Sequence, residues 1–404
     1  MSILNLRQRS GNVLLVACVF FCLAATVNTQ TFGLLLARVA QSTGLSVAVM
    51  GGLRTLENVA TIIVAVALAP HVDRYPRRLP LLAGFACGIA GAVTLWAFPT
   101  TLGATVYFLL NGTAVMLTVS TALAIPADYL SGRELSRAMG FMIAGFALSE
   151  ILFLPVAGQV AEIYGWRASF LLTSSLLFVA LLVALMILPG SAPKDDEATR
   201  MPVGGDYRRF VRNRPLLMLL LSATLRFAQY GALTTFLSTM LILRFGLRVS
   251  TIGEIFAFVG IMSFSGSAMS GFVLHSGRFW LALVVGGMIV AALMFSSVTL
   301  NPGLIATVVL ILVAMYTLAL QENASTLAVL ELSREARGAA TALNELSAAS
   351  GALIGIGLGS LGLELAGIRG LGITLTTLAL LGALITRFAL RARHPREADA
   401  ISVA

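Results

Sequence analysis

Charge is scarce in this chain. Asp, Glu, Lys and Arg make up 11% of its 404 residues, where soluble domains carry about 25%. That shortage excludes a soluble fold. With 58% hydrophobic residues and a mean hydropathy of +0.93, interior volume runs out before the apolar side chains do. The bilayer must be the solvent for most of them. Cysteine is rarer still. Cys18, Cys22 and Cys87 all sit in apolar runs, so there is neither a disulfide framework nor a metal-ligand spacing. Cys18 and Cys22, one helical turn apart, read as helix packing. No phosphate loop, nucleotide domain or metal-ligand cluster appears, so no cofactor or metal is implied. An ATP-driven pump is excluded unless a separate subunit supplies the motor. Gly357 to Gly362 match G-x-G-x-x-G, but they lie inside an apolar run, without the strand before and helix after that a dinucleotide site needs. Gly351, Gly355 and Gly359, four apart, form a small-residue stripe suited to close helix packing.

Long apolar runs are abundant. A spanning helix needs about 20 mostly apolar residues. Twelve such runs are present, at about 13–35, 46–68, 79–98, 102–126, 138–160, 168–189, 215–240, 250–273, 279–299, 303–328, 339–363 and 370–390. The first has the flanks of a signal peptide, with Arg7 and Arg9 before it and Ala24-Ala25 within, but reads as a retained helix, because its removal would leave an unpaired half. The stretch 190–214, with Pro, Gly, three consecutive acids and several arginines, reads as a solvated linker. The expected domains are therefore an N-terminal six-helix bundle (1–189), a cytoplasmic linker (190–214), a C-terminal six-helix bundle (215–390) and a cytoplasmic tail (391–404).

The net charge of +9 and pI near 10.2 do not point to nucleic acid. The basic residues form short clusters between apolar runs, with no single patch. Placed on the two sides of twelve spans, they are strongly biased. Of the 27 Lys and Arg, Arg54 and Arg226 lie within spans, and Arg38, Arg167, Arg244, Arg248 and Arg369 fall on one side. All the rest fall on the other. Basic loops stay in the cytoplasm, which puts both termini there and fits an even number of spans.

The densest charge cluster is Ala69-Pro70-His71-Val72-Asp73-Arg74-Tyr75-Pro76-Arg77-Arg78, between the second and third spans. It resembles the G-x-x-x-D-R-x-G-R-R signature of the major facilitator superfamily in the same place. Asp73, Arg74, Arg77 and Arg78 match; Ala69 and Pro76 replace the two glycines. Gly165-Trp166-Arg167-Ala168-Ser169-Phe170 is similar to that family's G-W-R-x-x-F at the start of the sixth span. Arg133 and Arg137 match its basic residues after the fourth span. Gly271, Gly277 and Arg278 resemble a worn second copy of the signature, with His275 where the acid would be. Such repetition fits two related halves. Overall the pattern is nearest the drug or metabolite:proton antiporter branch, with its motifs degraded. Phe108 stands four residues before Gly112, where that branch has arginine. Of G-P-x-x-G-G in the fifth span, only Pro155 and Gly158 survive.

The resemblance implies an all-α membrane protein of twelve transmembrane helices in two pseudo-symmetric halves. It implies a monomeric, multi-pass, non-enzymatic secondary transporter of the cytoplasmic (inner) membrane, working by alternating access. Its partners would be a small-molecule substrate, protons and the lipid bilayer. Efflux is favoured over uptake of a nutrient or anion. The reading from another class is a membrane sensor or assembly protein that kept the fold and lost transport.

Ionisable residues at membrane depth are costly and line cavities or pair with each other. Glu150, mid-span in the fifth run, has no basic neighbour one turn away. It needs a partner or a proton, so it is the first candidate for proton coupling, with Glu57 second. Arg54 and Glu57, three apart, share a helix face and can pair with each other or meet substrate. Arg226 cannot shed its charge and must face water, a carboxylate or an anionic substrate group. With Asn28, Gln30, Asn58, Gln229 and Tyr230, these arginines are the substrate-cavity candidates. Glu254 reads as half solvated. Glu322, Asn344 and Glu345 are inner-gate candidates. In the resembled family the acid matching Asp73 helps latch the halves in the outward-open state. Here the latch would comprise Asp73, Arg74, Arg77, Arg78 and Arg137. A carboxylate can latch by facing the positive N-terminal end of a helix, here near Gly338, or by pairing with Arg137.

Overall fold

The computed structural model describes residues 3–68, 76–128, 130, 132–188, 214–275, 279–332 and 337–393. Among them there is no strand. The helices are α1 (Ile3–Thr43), α2 (Val47–Leu68), α3 (Arg78–Ala97), α4 (Thr101–Ala124), α5 (Gly132–Leu148), α6 (Leu154–Tyr164), α7 (Trp166–Ile187), α8 (Arg214–Phe245), α9 (Val249–His275), α10 (Phe279–Met294), α11 (Leu304–Leu332) and α12 (Arg337–Arg393). Hydrocarbon offers no partner for backbone N–H and C=O groups, and a helix satisfies both internally.

Eleven of the described helical stretches are long and apolar enough to cross a membrane. The last, Leu346–Ala389, has 44 residues, about 66 Å if straight and twice what a bilayer needs. It is not straight. Ala366 and Gly367 leave helical geometry, Gly367 at φ 61°. The chain then doubles back, so that Leu371 lies beside Gly359 and Gly370 against the Gly362 carbonyl. Two crossings result, and the described helices make twelve. Their outer faces carry large apolar side chains, such as Val66, Met186, Phe272 and Ile305, which suits lipid and not water.

The fifth crossing is α5 and α6 joined through a π-helical turn, Ser149–Phe153. Pro155 explains the turn. It lacks an N–H, and in an α-helix its ring would meet the carbonyl four residues back. The chain takes one extra residue instead, and the Leu154 N–H bonds to the Ser149 carbonyl, five residues back. A second π turn, Phe295–Leu300, ends the ninth crossing before Asn301 in the left-handed region.

By contact the chain divides into two compact units. Unit one is Met1–Thr199 with Leu241–Gly260; unit two is Arg200–Met240 with Ile261–Ala404. In unit one α3 packs on α4 and α7, α2 on α4, and α1 on α5 and α7, around a core that includes Cys18, Phe21, Cys22, Leu81, Phe85 and Met142. Gly165 turns the chain between α6 and α7 at φ 87°, a conformation open to glycine. Trp166 then stacks edge-on against Phe170 at 5.9 Å, Arg167 lies 5.6 Å over the Trp166 ring, and Ser169 bonds to the Ala157 carbonyl. Phe108 completes this aromatic cluster, 4.7 Å from Phe32. In unit two Leu216, Leu219, Phe279, Leu283 and Val329 form the core. The stripe Gly351, Gly355 and Gly359 faces α8 at Thr224, Ala228 and Ala232.

Candidate functional site

Polar side chains inside an apolar helix bundle are held where they satisfy one another. In unit one the meeting place is one turn of α1, Thr26 to Gln30. Thr29 Oγ1 donates to Glu57 Oε1 at 2.5 Å and accepts from Asn111 Nδ2 at 2.9 Å. Arg54 Nη2 donates to the Thr29 carbonyl at 3.2 Å. Arg54 Nε stands 3.8 Å from Glu57 Oε2, so the expected same-face pair forms, each partner 5% exposed. At that distance it is an ion pair without a hydrogen bond, and Arg54 Nη1 and Glu57 Oε2 have no hydrogen-bond partner among the described residues. Gly112 brings α4 onto α2 here. A side chain at position 112 would run into the Glu57 carbonyl, and the Gly112 carbonyl accepts from Thr61.

The next residue of α1 reaches the other carboxyl. Gln30 Nε2 donates to Glu150 Oε1 at 3.2 Å. Ser149 bonds to Gln30 Oε1, and Thr26 Oγ1 lies 3.0 Å from Ser149 Oγ. Glu150 is buried and projects from the π turn, a feature that recurs at functional sites. Its Cβ lies against Gly260, and Gly253 and Gly158 carry the same close approach between α6 and α9. Adjacent positions on α1 thus hold Glu57 on one side and Glu150 on the other.

Asn28 is held apart from this group. Its Nδ2 donates to the Gly88 carbonyl at 3.0 Å, and its own carbonyl accepts from Tyr107 Oη at 2.9 Å. It ties α1 to α3 and α4. Asn58 is half-buried on α2.

Unit two has a second polar group. Arg226, 7% exposed, donates from Nη1 to Ser222 Oγ and from Nη2 to Ser325 Oγ, each at 2.6 Å. Ser222 lies 2.5 Å from Thr386 Oγ1 and 3.0 Å from the Gly382 carbonyl. Glu322, one turn before Ser325, acts on Arg226 electrostatically. Gln229 is fully buried and Tyr230 half-buried. Asn344 donates to Thr326 at 3.3 Å, and Asn323 to Ser267 at 2.8 Å.

Several expected positions lie outside the described residues: Asp73 and Arg74, and the side chains of Arg137 and Glu345. Arg77 stands half-buried in the turn before α3, which opens at Arg78. Sequence reasoning missed the hydroxyl and amide partners Asn111, Ser149, Ser222, Ser325 and Thr386. A usable signal existed for two of them. Ser222 precedes Arg226 by four residues and Ser325 follows Glu322 by three, the spacings of one helix face.

Twelve crossings with buried charge clusters define a multi-pass membrane protein, and the family match makes it a transporter, not an enzyme. The Major Facilitator Superfamily profile matches residues 16–333, and the chain belongs to that family, whose members bind small molecules, work by alternating access and are usually monomers. A similar sequence is the uncharacterized MFS-type transporter YceJ of Bacillus subtilis (strain 168). It is 26% identical over 290 residues, which cover 69% of this chain and 71% of YceJ. Among solved structures, the chain resembles a bacterial homologue of the human lysosomal transporter Spinster, in an inward-facing and occupied conformation. The TM-score is 0.75 at 14% identity, covering 95% of this chain and 97% of that one. It also resembles the nucleoside transporter NupG, with a TM-score of 0.72 at 14% identity, covering 94% of this chain and 98% of that one. At these identities the structural likeness is one of fold.

Proposed function

We propose that this protein exports a small organic solute across the cytoplasmic (inner) membrane in exchange for protons, with both termini in the cytoplasm. Two six-helix bundles, 1–189 and 215–390, rock about a midplane site, and Asp73, Arg74, Arg77, Arg78 and Arg137 latch them on the cytoplasmic side. Glu150 is the coupling carboxyl. The observation that carries this reading is its position: buried, on a π turn, bonded to the neutral amide of Gln30. A buried carboxyl changes the charge of its surroundings when it takes a proton, and the Gln30 amide is placed to hold it in either state. Glu57 is the second coupling candidate. Gln30, Arg54, Asn58, Arg226, Gln229 and Tyr230 would meet the solute, and Glu322, Asn344 and Glu345 would belong to the inner gate.

Inverted membrane vesicles with an acid interior test the reading. Candidate metabolites and dyes should accumulate inside them, and Glu150→Gln should abolish accumulation while leaving solute counterflow at near wild-type rate. Loss of solute from the vesicles under the same gradient would reverse the assigned direction. Accumulation unaffected by Glu150→Gln would move the coupling to Glu57. No gradient-dependent flux in either direction, from well-expressed protein, would support the non-transporting reading.

A further inference from the structure

Buried hydrogen-bond donors are almost always filled, and among the described residues α8 carries three that are not, Arg226 Nε, Gln229 Nε2 and Thr239 Oγ1. Arg226 and Gln229 lie three residues apart and share a helix face. Their relative exposures are 7% and 1%. Arg226 Nε and Gln229 Nε2 both lack a hydrogen-bond partner among the described residues. The two filled guanidinium nitrogens are taken by the hydroxyls of Ser222 and Ser325, which orient the group without bringing a charge. Ser222 is itself fixed by Thr386 and Gly382. The fork is therefore held in place with its Nε donor unfilled. Glu322 acts on it electrostatically, but the Nε donor still has no acceptor.

A guanidinium cannot lose its charge, and its geometry matches two oxygens of a planar anion. Gln229 adds a neutral donor one turn along. We infer that Arg226 and Gln229 anchor a carboxylate of the transported solute, with Ser222 and Ser325 as positioning residues. The inference rests on the chain being a transporter and narrows its substrates to small organic acids. A neutral amide of the same shape would present one oxygen and a competing N–H, and would leave a donor unfilled.

Size-matched acids and amides test this on the purified full-length protein in nanodiscs. Nicotinate with nicotinamide, benzoate with benzamide and lactate with lactamide are measured by thermal shift and calorimetry. At least one acid should bind at least tenfold more tightly than its amide. Arg226→Gln and Gln229→Leu should each weaken the acid at least tenfold and bring it to the level of the amide. Arg226→Lys, which keeps the charge and loses the fork, should fall between. Ser325→Ala should weaken the acid less than Arg226→Gln does. Equal binding of acid and amide, binding unchanged in both Arg226→Gln and Gln229→Leu, or no binding by any acid overturns the inference. Glu150→Gln separates it from the transport reading. Acid binding that survives where gradient-driven flux is lost supports both. Flux of a neutral solute without acid binding overturns the carboxylate anchor alone.

Discussion

Thr29 is the residue on which the buried charge of unit one turns. Its hydroxyl has one hydrogen and two lone pairs, and it uses both roles, donating to Glu57 and accepting from Asn111. Its carbonyl also receives Arg54. Removing the hydroxyl takes one hydrogen bond from the Glu57 carboxylate and one from the Asn111 amide. Each unsatisfied buried group costs about 1–3 kcal/mol. Thr29→Val, nearly equal in volume, should therefore lower the thermal stability of the purified protein by that order, and Thr29→Ser should restore most of the loss. Equal melting of all three proteins would mean that the hydroxyl contributes nothing to holding Glu57. The Arg54–Glu57 pair was readable in the sequence because a three-residue spacing within one helix needs no knowledge of its neighbours. Thr29 to Asn111, or Gln30 to Glu150, was not, because those contacts depend on how each helix is rotated against the next.

At the level of the helix, glycine sets how closely two backbones meet. A Cβ at Gly355 would overlap the Ala228 carbonyl, an atom of α8 that cannot move without its helix. At Gly359 it would meet side chains, 3.1 Å from Phe236 and 3.2 Å from Ala232, which can shift by a few tenths of an ångström. At Gly140, on the exposed side of α5, nothing lies within 4 Å. Overpacking costs about 1–3 kcal/mol, while alanine in an open helical position gains up to about 1 kcal/mol over glycine. Gly355→Ala should therefore destabilise most, Gly359→Ala less, and Gly140→Ala should be neutral or stabilising, as melting temperatures in one detergent will show. The four-residue spacing of this stripe was legible before its partner helix was known. The π turn at Ser149–Phe153 was not. Proline at position 155 signals a disturbed helix, but whether the chain kinks, breaks or takes an extra residue depends on what it packs against, here α1 and the glycines of α9.

For the whole molecule the strongest constraint is charge against membrane. The spans were legible because hydrocarbon demands about 20 apolar residues per crossing; α3 at Arg78–Ala97 and α7 at Trp166–Ile187 lie within a few residues of the expected runs. The first and seventh crossings extend further, to Thr43 and Phe245, because a helix continues past the hydrocarbon wherever packing supports it. Twelve crossings require both ends of the chain on one side. Of the 27 basic residues, only Arg38, Arg167, Arg244, Arg248 and Arg369 fall at helix ends or turns on the opposite side, so the side with the linker and both termini should be the cytoplasm. Single cysteines introduced into a variant lacking Cys18, Cys22 and Cys87 can read this out with a membrane-impermeant maleimide. Thr100→Cys, between α3 and α4, should label in intact cells and be protected in inverted vesicles. Ser191→Cys, in the linker, should do the reverse. The opposite pattern would invert the whole molecule, and with it the side from which Glu150, the proposed coupling carboxyl, would load its proton. Labelling of both positions from the same side would mean an even number of crossings between residues 100 and 191, where α4, the broken fifth crossing and α7 make an odd one. That outcome would single out the π turn at Glu150, in the one interrupted helix of that set, as the place where the chain fails to cross.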